Sequence, residues 1–209
     1  MKIKQLFVFG LLLFSLPLSA QVDYIDKHVS KIYLGSGSDK LRAGDYKGAV
    51  SEYTYAIKLD PTLVEGYIDR GIAKNMLGDF KGAIEDYNKG ISMDANIAGA
   101  YYNRGCAWMA LGEYDKALPD FDRAIRINPR YKEALNNRAN IKLIRKDYAG
   151  AIDDFSKLIR FSRRDPTGYF NRGLARIEAG QKEDGCKDLQ KALELGDTQA
   201  AEAIRKYCQ

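Results

Sequence analysis

Apolar residues recur along this chain at three- and four-residue steps, broken by regularly placed glycines, and the pattern repeats every 34 residues from Ser30 to Gln199. Three- and four-residue steps mark helices with one apolar face. The copies run 30–63, 64–97, 98–131, 132–165 and 166–199 with no insertion. Gly44, Gly78, Gly112 and Gly180 share one slot, with Lys146 as the exception. Ala49, Ala83, Ala117 and Ala151 follow five residues later, and Tyr53, Tyr87, Phe121 and Phe155 four after that. A fixed period of this length predicts stacked helical hairpins, each burying its face against the next.

Within a copy the residue types predict where helices stop and start. Glycine in the shared slot ends the first helix in the left-handed conformation, which carries no Cβ penalty. Asp45, Asp79 and Asp147, with Glu113 in the third copy, open the second helix, and aspartate there caps free backbone N–H groups. Pro61 and Pro129 then break the chain. Gly37, Gly71, Gly105, Ala139 and Gly173 place small residues on the first helix, facing the alanine set and Gly185 on the second. Pro119 inside a second helix predicts a mild kink.

With these motifs in place, the chain resembles a tetratricopeptide-repeat protein. Tyr67, Gly71, Gly78, Asp79, Phe80, Ala83, Tyr87 and Ile91 carry the pattern in the second copy. The resemblance implies an all-α fold, an α-solenoid of five helix-turn-helix repeats. Ala203, Ile204 and Tyr207 place a capping helix over 200–209. Copies four and five depart from the pattern: Arg163 and Asp197 replace the closing proline, and Lys182 the aromatic after the turn.

Two polar ladders run through the copies. Arg70, Arg104, Arg138 and Arg172 precede Asp86, Asp120, Asp154 and Asp188 by sixteen residues. We read them as one ion pair per hairpin, in preference to an anion-binding arginine row. Beside the arginines stand Asn103, Asn137 and Asn171, with Asp69 in the second copy. By the resemblance this slot lines the concave groove, where an amide grips a peptide backbone because it donates and accepts at once. Matched slots supply an apolar wall: Ile68, Tyr102, Met109 and Phe170, together with Ile72, Cys106, Leu143, Leu174 and Ile177. The alternative is that these residues pack within or between hairpins. The expected partner is a protein or peptide segment. Leu34, Ser38 and Ile68 stand where relatives that clamp a terminal carboxylate use Lys, Asn and Arg, so that clamp is not expected.

The ends and the composition narrow the function further. Lys2 and Lys4, an apolar run from Leu6 to Leu18 and Leu18-Ser19-Ala20 before Gln21 predict a signal peptide over 1–20 and a lead-in segment over 21–29. The run is too short and too broken by Pro17 to anchor the mature chain in a membrane. Export to the periplasm is expected, with secretion as the rival. Cleavage removes two lysines and no acid, so the net charge falls from +5 to +3. Mixed signs along the repeats argue against nucleic acid. In an oxidising compartment Cys186 and Cys208 either form a bridge or stay as two thiols, and Cys106 stands alone. The single histidine, His28, has no metal-ligand spacing around it. No cofactor, metal site or catalytic constellation is therefore expected. The sequence points to a non-catalytic interaction scaffold, or alternatively to a structural subunit of an envelope or secretion assembly. It leaves the oligomeric state open.

Overall fold

The computed structural model describes residues 17–209, so most of the expected signal segment lies outside the described residues. The described residues form eleven helices and no strand. They divide into two units, up to Ala95 and from Asn96. The first holds two hairpins: α1 (Leu18–Arg42) with α2 (Tyr46–Leu59), and α3 (Val64–Met76) with α4 (Phe80–Met93). The second holds three: α5 (Ala98–Ala110) with α6 (Tyr114–Ile127), α7 (Lys132–Ile144) with α8 (Tyr148–Phe161), and α9 (Pro166–Glu178) with α10 (Lys182–Glu194). It closes with α11 (Gln199–Tyr207). Helix α1 starts before the expected cleavage point and runs through the lead-in 21–29 without a break. No described helix is long and apolar enough to cross a membrane.

Each hairpin turns in the same way. Gly44, Gly78, Gly112 and Gly180 have φ between 76° and 81°. The glycine N–H bonds back to the carbonyl three residues earlier and the next N–H to the carbonyl five residues earlier, as in Asp79 N–H to Lys74 and Gly78 N–H to Asn75. This double closure satisfies carbonyls that the helix end leaves free. Asp45, Asp79 and Asp147 then cap the second helix by accepting from the N–H of Gly48, Gly82 and Gly150. A Cβ on those glycines would lie 2.0 to 2.2 Å from the capping carboxylate. Aspartate and glycine therefore occur as a pair. The third hairpin has neither: Glu113 makes no side-chain cap, and Lys116 takes the glycine slot.

Lys146 holds the same turn at φ 61° without being glycine. A left-handed L-residue costs roughly 1–2 kcal/mol, part of which glycine gives back through its freer unfolded chain. Lys146→Gly is expected to stabilise the protein by about 0.5–1 kcal/mol. A rise in the urea midpoint checks this, and an unchanged or lower midpoint refutes it.

The small first-helix residues do a different job from the expected one. A Cβ on Gly37, Gly71 or Gly105 would meet the ring of Tyr53, Tyr87 or Phe121 at 2.6, 2.7 or 2.8 Å. The glycines make room for the aromatic ring of their own hairpin, not for its alanine. In the last hairpin a Cβ on Gly173 would instead meet backbone, with Gly185 O at 3.0 Å. Within each unit the rings also reach the next hairpin: Tyr53 clusters with Ala73, Phe121 with Ala134 and Ile141, and Phe155 with Ala175. One fully buried side chain thus joins two hairpins, and interior packing density makes its volume hard to change. Helix α6 continues through Pro119 to Ile127. Pro119 is exposed, so water can satisfy the carbonyl that its missing N–H leaves free.

Candidate functional site

The polar ladders close on each other inside the hairpins. Arg70, Arg104, Arg138 and Arg172 each grip Asp86, Asp120, Asp154 and Asp188 through two parallel bonds of 2.5 to 2.9 Å. The four carboxylates are at most 5% exposed. This is the one-pair-per-hairpin reading, and it removes these arginines from the candidates for ligand binding. A second cation reaches the same carboxylate in three hairpins, from Lys74, Lys142 and Arg176. Trp108 takes that slot in the third. In the first hairpin, which lacks the arginine, Lys40 pairs with Glu52 instead.

The arginines also bind backward. Nη1 of Arg70 donates to Thr54, of Arg138 to Asp122 and of Arg172 to Ser156. Each acceptor lies on the second helix of the preceding hairpin. Thr54, Asp122 and Ser156 share one slot of the 34-residue register, but no common residue type marks it in the sequence.

The face carrying the asparagine row is best defined in the 96–209 unit. Tyr102, Asn136 and Asn137 line a cavity of about 300 Å³, with Lys132, Glu133, Leu158, Ser162, Asp165, Thr167 and Gly168 completing its wall. Tyr102 is fixed from two sides: its ring centroid lies 4.8 Å from that of Tyr131 and 6.0 Å from that of Phe121. Its hydroxyl donates to the Cys106 sulfur, as does Asn137 Nδ2 at 3.5 Å. Cys106 therefore orients two cavity residues. Burial pushes its thiol up, offset by those two donors, and burial followed by the Cys106 sulfur holds the Tyr102 phenol well above the ordinary tyrosine range. Both groups stay neutral at physiological pH and act through hydrogen bonds.

The other expected residues are placed differently. Asn171 donates from Nδ2 to Asn136 Oδ1 at 3.3 Å, so it orients a lining amide without lining the cavity itself. Asn103 and Phe170 are half-buried on first helices. Met109, also half-buried, packs on the core around Phe121. Ile68 corrects the expectation: it is only 9% exposed and is not a groove wall. It covers Gly90 of its own hairpin, where a Cβ would come within 2.9 Å of Ile68 Cγ1. Asp69, in the same unit as Ile68, is half-buried. Burial pushes its carboxyl up, with Glu65 adding to the shift. Asn136, which shares a slot with Tyr102 and Phe170, lines the cavity although it is polar. Among the described residues, no group of His, Cys, Asp or Glu is arranged to hold a metal ion.

Hairpins of this length, turn and ladder define the class of helical-repeat scaffolds. Tetratricopeptide-repeat family profiles match residues 34–100 and 98–131. The chain belongs to the tetratricopeptide-repeat family, whose members are generally non-catalytic scaffolds for protein interactions. The solved structure of MamA is 29% identical, covering 85% of this chain and 94% of that one with a TM-score of 0.73. YrrB, described as a TPR protein with an unusual peptide-binding site, shares the fold at 19% identity; the match covers 83% and 90% of the two chains with a TM-score of 0.73. The first TPR of Spaghetti (RPAP3), solved with an HSP90 peptide, is 25% identical over 56% of this chain and 94% of that one, with a TM-score of 0.56. No curated protein matches at a significant level.

Proposed function

We propose that this protein is an exported interaction scaffold that takes an extended segment of another protein at the cavity framed by Tyr102, Asn136 and Asn137. The observation that carries this reading is the cavity itself, which combines a fixed aromatic floor with two oriented amides. An amide side chain matches the donor and acceptor of a peptide unit, so it reads backbone whatever the sequence. A locked aromatic offers apolar area at little entropic cost. The relative solved with an HSP90 peptide supports the class of ligand. Export is supported by the signal-like N-terminus and by a cysteine pair at bonding distance, since disulfides persist in oxidising compartments. Cell fractionation should place the protein in the periplasm, or failing that in the medium.

The test uses a library of acetylated, amidated hexapeptides read by fluorescence anisotropy against residues 21–209. Asn136→Ala/Asn137→Ala, verified as folded by circular dichroism, should weaken binding about ten- to thirtyfold, as two lost hydrogen bonds predict. Equal binding by the parent and the variant would remove the cavity from recognition. A second reading, fixed association in an assembly, is favoured by exposed Val22, Ile25 and Ile32 on α1. Elution of purified protein as a single stable complex would support it.

A further inference from the structure

The cavity in the 96–209 unit is bordered by two turns that carry arginines at their tips. The first closes through Tyr131 N–H to Asn128 O at 3.0 Å and presents Arg130. The second closes through Asp165 N–H to Ser162 O at 3.1 Å and presents Arg163 and Arg164. Ser162 and Asp165 line the cavity themselves, as does Lys132 just beyond the first turn. The two turns are close in space, because the Arg130 guanidinium sits 5.8 Å from the ring centroid of Phe161, next to Ser162.

No carboxylate of the described fold pairs with these arginines. All three are exposed. Among the described residues none of them is ion-paired, whereas exposed cations such as Lys116, Lys187 and Lys191 in the same unit hold a carboxylate. The matching tip in the first unit reads Pro61-Thr62, so the turn itself does not require arginine. Two carboxylates line the cavity. Asp165 is committed to capping α9 through the Thr167 N–H, and Glu133 lies in the first turn of α7, where a negative charge is favoured. Four cations against two acids leave the mouth positive.

Resting on the groove reading above, we infer that the segment taken at this cavity is acidic, with Asp or Glu side chains flanking the inserted residue and paired by Arg130, Arg163 and Arg164. Arginine suits this role because its planar fork holds a carboxylate through two parallel bonds. A protein segment is favoured over a lipid headgroup because the arginines border a cavity that has amides for a peptide backbone.

The probe is the same hexapeptide library, sorted into pools with one position fixed as Glu or as Gln, on the full mature chain. Glu pools should bind about tenfold more tightly than Gln pools at low salt, with the advantage largely gone at roughly 0.5 M salt. Arg130→Gln/Arg163→Gln/Arg164→Gln should lower Glu-pool binding to the Gln-pool level, with the circular dichroism spectrum unchanged. Pools that bind without a Glu preference, or a preference that survives in the triple variant, overturn this inference and leave the groove reading standing. Binding of phosphatidylglycerol vesicles with no peptide binding at all overturns both.

Discussion

Arg138→Ala will destabilise the 96–209 unit by about 3–5 kcal/mol, the cost of leaving a buried carboxylate without its main partner. Asp154 is fully buried, and Arg138 is 12% exposed. Arg138 donates Nε to Asp154 Oδ2 at 2.9 Å, Nη2 to Oδ1 at 2.5 Å and Nη1 to Asp122 at 2.5 Å. It thus joins α7 to α8 and also to α6 of the preceding hairpin. Lys142 still reaches Asp154 Oδ2 at 2.8 Å, which places the expected loss toward the lower end of the range. Because the partners are shielded, added salt should change the loss little. Exposed pairs such as Lys187–Asp184 should contribute nothing measurable. Arg138→Met/Asp154→Leu should recover most of the lost stability, since an apolar pair of similar volume avoids the desolvation penalty. Urea denaturation of the three proteins decides the matter. A loss below about 1 kcal/mol for the single variant would mean that water solvates the pair.

The fold was readable because its determinants are local and periodic. Gly44, Gly78, Gly112 and Gly180 need a left-handed turn, and Asp45, Asp79 and Asp147 need a helix start. Both requirements lie within one turn of chain. The arginine–aspartate pairing was readable for a related reason: the two types recur together, sixteen residues apart. What stayed hidden depends on contacts across hairpins or on depth. Ile68 shares a slot with Tyr102, Asn136 and Phe170, yet Gly90 opens a recess that only Ile68 fills. The slot predicts direction, and the facing residue decides burial. The backward bonds from the arginines need acceptors that chemistry permits to vary, so Thr54, Asp122 and Ser156 show no common residue type. The cavity brings together residues from α5, α7, α8, α9 and the 162–165 turn. Register named two of its residues as site candidates, Tyr102 and Asn137. It could not supply Ser162 and Asp165, because the matching slots hold Asn128 and Tyr131 in the preceding copy and so show no common residue type.

Breaking the Cys186–Cys208 bond will loosen the C-terminal end by roughly 3 kcal/mol, as the closed loop length predicts. The two cysteines are 22 residues apart with Cα atoms 5.8 Å from each other, a separation that a bridge spans without moving backbone. Helix α11 depends on that bond more than a longer helix would. It has nine residues, its start is held by Asp197 accepting from the Gln199 N–H in an exposed bond, and only Ala200 and Ala203 are buried. Isolated helices of that length do not hold in water. The remaining tie at the chain end is Lys182 Nζ to Gln209 O at 3.2 Å, and it is exposed. In a repeat array each hairpin is supported by its neighbours, so losing the cap exposes the outer face of α10 first. The expected result is a lower melting temperature in reductant, together with early amide exchange over 182–207 and unchanged protection around Phe121 and Ile141. Cys208→Ser should reproduce both effects without reductant. Unreduced peptide mapping of protein taken from its native compartment should link Cys186 to Cys208 and leave Cys106 alkylated. Two alkylated C-terminal thiols, with the same melting temperature in reductant as without it, would show that packing alone holds α11 and would remove the main structural support for an oxidising location.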